Sequence, residues 1–89
     1  YAKSWSAPAH YGDGEAAEWR RRALTDWCVG ESWFANAAAG ARFLHCLPVR
    51  RNVVVADEVL DGPRSAVIPQ AHNRLWAQMA VLHRLMAKA

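Results

Sequence analysis

The chain is short of most of the signals that assign a protein to a class at sight. It has only two cysteines, Cys28 in a segment of helical pattern and Cys46 at the end of an apolar run. Two thiols in such unlike places exclude a disulfide framework, and a reducing, cytoplasmic setting is the expectation. No apolar run approaches the roughly twenty residues of a membrane span, and none has the make-up of a signal peptide, so neither membrane nor export is expected. Charge of one sign is scarce too. Eleven basic against eight acidic residues leave +3, too little to imply nucleic acid. Arg20-Arg21-Arg22 is the sole basic run of three. With no aromatic–glycine alternation beside it, it reads as a solvated helix face. Cys28, His72 and His83 lack zinc-ligand spacing, and His45 and Cys46, adjacent on an extended segment, point to opposite faces. No metal is expected.

Apolar surface is what the chain has in quantity. Hydrophobic residues make up 53%, and there are five tryptophans in 89 residues. That excludes disorder, and it is more surface than a lone domain of this size readily covers. The first residue is Tyr1, not methionine, and Tyr1 to Trp5 already reads as a strand end running into a loop. The expectation is a piece of a longer protein.

Pro8, Gly12 and Gly14 mark a connection. Glu15 to about Val29 has helical spacing, with Ala16, Trp19, Ala23 and Trp27 three to four apart and Glu15 and Glu18 at the favourable end of the dipole. Gly30 offers its stop. Glu31 to Ala38 reads as a shorter helix ended by Gly40, Arg42 to Cys46 as a short buried strand, and Val53 to Val55 as an extended piece. Asp57 to Leu60 reads as a helical turn closed by Gly62-Pro63. Ser65 to Ile68 is expected to be extended, and Pro69 fits the first turn of a long final helix. There Ala71, Leu75, Met79, Leu82 and Met86 form one apolar stripe. The alternation predicts an α/β fold with parallel strands.

Chemistry concentrates in Phe43-Leu44-His45-Cys46-Leu47-Pro48-Val49-Arg50-Arg51-Asn52. On residues alone, a proline there ends a strand and the cysteine is core. The functional reading is a turn that points the thiol and backbone carbonyls into the cleft beyond a parallel strand's C-terminal end. A cis Leu47–Pro48 bond would aim the Leu47 carbonyl where a trans bond does not. Arg74, beside the expected core residue Leu75, is either an exposed helix arginine or a cation aimed at that cleft. Lys3, taken alone, is a loop residue without a role. Arg50 and Arg51 read as catalytic groups or as interdomain salt bridges.

His45-Cys46-Leu47-Pro48 with Arg50-Arg51-Asn52 resembles the carbamoyltransferase superfamily, and the likeness runs from Tyr1-Ala2-Lys3-Ser4-Trp5 to Asn73-Arg74-Leu75. The resemblance implies part of a Rossmann-like, parallel-sheet amino-acid-binding domain over 1–89, ending in a long C-terminal helix. The N-terminal carbamoyl-phosphate-binding half would be absent and the intact protein a homotrimer. It also implies a cis Leu47–Pro48 bond, Cys46, Leu47 and Arg74 as contacts of carbamoyl phosphate, Leu47 also as a contact of the amino-acid acceptor, and Cys46 and Arg74 as catalytic, the arginine reaching the carbamoyl oxygen. Ornithine-specific members carry a Trp-x-Ser-Met-Gly type motif where this chain has Ala2-Lys3-Ser4-Trp5. The latter is similar to the branch acting on N-acetylornithine, where the lysine pairs with the α-carboxylate. N-succinylornithine satisfies the same logic. Some members carry a lysine two residues after the asparagine of Arg-Arg-Asn; this chain has Val54. The expected partners are therefore carbamoyl phosphate and N-acetylornithine, with no cofactor.

Overall fold

The computed structural model describes residues 1–87. Three α-helices organise them: α1, Gly14–Ala23; α2, Asp57–Leu60; and α3, Val67–Met86. Single 3₁₀ turns occupy Pro8–His10 and Glu31–Phe34. Asp13 starts α1 by accepting the Ala16 N–H on its carboxylate at 3.0 Å, the usual way to satisfy an orphan donor of the first turn. The helix stops at Ala23 rather than near Val29. Trp27, expected on its face, is turned out to meet Trp5 edge-on with ring centroids 5.8 Å apart. The helical stretch expected over Glu31 to Ala38 shrinks to its first turn. α2 lies where expected. α3 begins at Val67, two residues before Pro69, which still falls in the first turn, where no intrahelical donor is required.

The expected Rossmann-like parallel sheet is not seen: among the described residues there is no strand, only isolated parallel bridges. Phe43 N–H donates to the Arg64 carbonyl at 2.8 Å and Ala66 N–H to the Phe43 carbonyl at 2.9 Å. Val29 N–H donates to the Val54 carbonyl and Ala56 N–H to the Val29 carbonyl, both at 2.9 Å. The parallel sense expected from the sequence is there, but each ladder stops after one rung because a helix claims the next acceptor. The next rung from Phe43 needs His45 N–H on the Ala66 carbonyl, which instead accepts the Gln70 N–H of α3 at 3.0 Å. The next rung from Val29 needs the Ala56 carbonyl, which accepts from Val59 and Leu60 at the start of α2.

Phe43, Val55, Val59, Leu60 and Val67 form the core, with Ala2, Val29, Phe34, Leu47 and Val49 packed around it. Gly62 closes α2 tightly, since a Cβ there would collide with the Glu58 carbonyl oxygen. Beyond Gln70, α3 leaves this core. Its stripe is real in sequence but uncovered, and Leu75, expected in the core, is 55% exposed.

Candidate active site

Backbone and side-chain bonds fix the segment 45–52 residue by residue. His45 is 1% exposed. Its backbone N–H donates to Gln70 Oε1 at 3.1 Å, and its ring Nδ1 accepts the Leu47 N–H at 2.8 Å. With Nδ1 an acceptor, the neutral ring carries its proton on Nε2, which is buried with no hydrogen-bond partner among the described residues. Burial first, and then the Lys3 charge, push the His45 pKa below the ordinary imidazole value. The ring is a neutral brace. Leu47 takes φ 53° and the Leu47–Pro48 peptide is cis, as the sequence pattern implies.

Arg51 donates to Asp57 Oδ1 at 2.8 Å and to both carboxylate oxygens of Asp61. Asn52, at φ 58°, accepts the Asp57 N–H at 3.0 Å and donates to its carboxylate at 2.9 Å. The Arg51 guanidinium holds both carboxyls below their usual range, with Asn52 helping at Asp57. Arg51, expected to be catalytic or to bridge domains, forms a clasp within the chain that ties the end of the loop to α2. The Arg50 side chain lies apart, bordering a cavity of about 440 Å³ with Ser4, Trp5, Asp13 and Arg21.

Arg74 Nη2 donates to the Cys46 carbonyl at 2.7 Å. That bond occupies one of a guanidinium's five donors and one of a carbonyl's two lone pairs, so both groups retain capacity for a ligand. Cys46 and Leu47 are half-buried and Arg74 is exposed. Lys3 stands alongside. Ala2 N–H donates to the Leu44 carbonyl at 3.1 Å, and Gln70 Nε2 to the Tyr1 hydroxyl at 3.4 Å, so the Lys3 segment is stitched to the residues just before Cys46. No described hydrogen bond joins Lys3 to Cys46, Leu47 or Arg74; its link to them is the charge felt at His45. Lys3 also borders an apolar cavity of about 460 Å³ with Trp5, Trp27, Trp33 and Phe34, which none of the other three residues lines.

The structure thus joins Arg74 to Cys46, with Leu47 next in the chain, and brings Lys3 within electrostatic reach of His45. Sequence reasoning missed Gln70 and the bracing role of His45. The available signal was spacing: Gln70 lies four residues before Arg74, on the same face of one helix. Among the described residues no three His, Cys, Asp or Glu side chains cluster as a metal site, and no helix is long and apolar enough to cross a membrane.

Residues 1–85 match the family described as aspartate/ornithine carbamoyltransferase, Asp/Orn binding domain. The chain belongs to the aspartate/ornithine carbamoyltransferase family. It is 40% identical over 82 residues to the ornithine carbamoyltransferase of Bordetella avium, covering 92% of this chain and 25% of that protein. To the N-succinylornithine carbamoyltransferase of Bacteroides fragilis it is 42% identical over 86 residues, covering 97% and 26%. Among solved structures, ornithine carbamoyltransferase from Pyrococcus furiosus superposes with a TM-score of 0.74 at 40% identity, over 91% of this chain and 25% of that one. An N-acetyl-L-ornithine transcarbamylase gives 0.76 at 36%, over 92% and 25%. The chain spans about a quarter of the length of the relatives it matches.

Proposed function

We propose that this chain is part of the amino-acid-binding domain of a carbamoyltransferase that uses N-acetyl-L-ornithine. The δ-amine attacks the carbamoyl carbon of carbamoyl phosphate, the bond from that carbon to the phosphate oxygen breaks, and the amine gives up a proton. N-acetylcitrulline and phosphate result, a step of arginine biosynthesis. The observation that carries this reading is the 2.7 Å bond from Arg74 to the Cys46 carbonyl. It keeps a guanidinium beside the cis Leu47–Pro48 turn, where negative charge on the carbamoyl oxygen would build. A fixed cation there stabilises the transition state more than the ground state. The carbonyls of Cys46 and Leu47 supply acceptors for the carbamoyl NH₂ without adding charge. Orientation of donor and acceptor does the rest, with no cofactor.

Lys3 supports the acylated acceptor. Acylation removes the positive charge of the α-nitrogen, and the neighbouring carboxylate then gains from a protein cation. The relatives' names span ornithine, N-acetylornithine and N-succinylornithine, and acceptor choice is where these readings part. The phosphate cradle belongs, in this reading, to an N-terminal half outside these residues, and the working assembly is a homotrimer. This chain alone is then inactive. A second reading, a non-catalytic self-associating chain, draws on the exposed stripe of α3.

The test is carbamoyl transfer by the full-length polypeptide carrying this chain, offered each of the three acceptors in turn. N-acetylornithine is the expected best substrate. Lys3→Ala should weaken its binding by about 1.5–3 kcal/mol, the worth of a charged hydrogen bond. A preference for free ornithine, or an unchanged affinity in Lys3→Ala, would remove the acylated reading. Transfer of label by the 89-residue chain alone would sink the inactive-part reading, and no transfer by the full-length protein would leave self-association.

A further inference from the structure

His45, Cys46 and Leu47, the donor loop in the reading above, are each held by a side chain, and two of the holds come from a single turn of α3. Gln70 Oε1 accepts the His45 backbone N–H at 3.1 Å, and Arg74 Nη2 donates to the Cys46 carbonyl at 2.7 Å. Residues four apart on a helix share a face, so this pair grips the loop as one rigid edge. The third hold is internal, from the Leu47 N–H to His45 Nδ1. Gln70 differs from Arg74 in having a second end. Its Nε2 donates to the Tyr1 hydroxyl at 3.4 Å, two residues before Lys3, while Ala2 N–H is tied to the Leu44 carbonyl. A carboxamide is suited to this place because one planar group carries an acceptor for an amide N–H and a donor for a phenol oxygen. The acceptor end also replaces the ladder rung that the start of α3 removes from His45.

We propose that Gln70 is a positioning residue for carbamoyl transfer: its amide spans the donor loop at His45 and the Lys3-bearing segment at Tyr1, setting the distance between the two substrates. The inference rests on the donor and acceptor roles given above to Cys46, Leu47 and Lys3. Transfer within a bound pair depends steeply on such alignment, and small misplacements cost orders of magnitude in rate. Losing both ends therefore lowers turnover most, and losing the Tyr1 end alone loosens the hold on the acceptor with a smaller loss of turnover.

The test is steady-state kinetics of the full-length polypeptide, with melting measured alongside. Gln70→Leu removes both ends and should lower kcat about 30-fold or more. Gln70→Glu keeps an acceptor for the His45 N–H, can itself accept from the Tyr1 hydroxyl, and should recover kcat to within about threefold of the parent. Tyr1→Phe should raise KM for N-acetylornithine several-fold and lower kcat by less than Gln70→Leu does, while leaving KM for carbamoyl phosphate near the parent value. A merely structural Gln70 would lower activity only in step with the folded fraction, move both KM values together and gain nothing from glutamate; that pattern overturns the proposal. Should Gln70→Leu fail to fold, Gln70→Glu and Tyr1→Phe decide, since a kcat collapse in the first or an unmoved acceptor KM in the second also overturns it. An active parent enzyme with indifferent variants removes Gln70 alone. An inactive parent removes the function proposed for the site, and Gln70 with it.

Discussion

The stretch from Phe43 to Val67 and the helix that follows it solve opposite problems. In the first, Phe43, Val55, Val59 and Val67 are buried, and side chains or helix starts take up the backbone groups that a sheet would otherwise pair. In the second, every described residue from Ala71 onward is exposed, and Met79, Leu82 and Met86 are 50%, 58% and 74% accessible. One region takes its shape from contacts inside the chain. The other takes only its helical form from inside. The difference separates what holds the segment 45–47 from what remains available for burial elsewhere, and the two regions meet at Gln70 and Arg74.

The sharpest way to test that division is to truncate one side chain from each region. Phe43→Ala should destabilise this chain by about 3–5 kcal/mol, the usual cost of removing a buried phenylalanine. Met79→Ala should stay within about 0.5 kcal/mol, as for an exposed side chain. Urea unfolding followed by tryptophan fluorescence reads both, and equal costs would erase the contrast. Arg74→Ala breaks the junction itself. In the full-length polypeptide it should cost about a hundred- to a thousandfold in kcat, the scale for losing an oxyanion donor, with Arg74→Lys recovering only part because an ammonium lacks the planar fork. Rates unchanged in Arg74→Ala would return that residue to the exposed-helix class.

The smallest expected effect is a pH dependence inside the buried region. His45 has its pKa lowered on folding from an ordinary value of 6.5, so the unfolded chain binds its proton more readily. Stability from this residue is complete above about pH 6.5 and is lost as pH falls through the folded-state pKa. The urea midpoint should therefore drop from pH 7 toward pH 5. His45→Asn, which keeps an acceptor on a short side chain but cannot titrate, should flatten that slope; an unchanged slope would place its origin in another group.

The sequence is most legible where local rules suffice. α2 and α3 follow from patterning and the placement of Pro69, and the cis Leu47–Pro48 turn follows from the family resemblance. α1 is over-read by several residues because the Trp19–Ala23–Trp27 spacing mimics a helix face, whereas Trp27 is spent on Trp5. Leu75 is misread for a related reason: periodicity reveals a stripe and says nothing about what covers it. The parallel pairings are foreseen correctly in sense and wrongly in extent, since no propensity reveals that the Ala66 and Ala56 carbonyls open helices instead of extending ladders. Of the candidate site, the structure sets Arg74 on the Cys46 carbonyl, while Gln70 escapes notice because its contacts lie 25 and 69 residues away in the chain.

Mechanically, α3 is a beam bolted to the segment 45–47 at one end. Its 20 residues make it about 30 Å long at 1.5 Å per residue, and the bolts are the bonds at Gln70 and Arg74. Pivoting by about 10° at Arg74 would swing Met86, twelve residues on, through roughly 3 Å and Gln70, four residues back, through roughly 1 Å. Movement of the apolar far end thus reaches the Gln70 bolt reduced only about threefold, while force applied there is multiplied by the same factor, so whatever covers that end has leverage over the segment at Cys46.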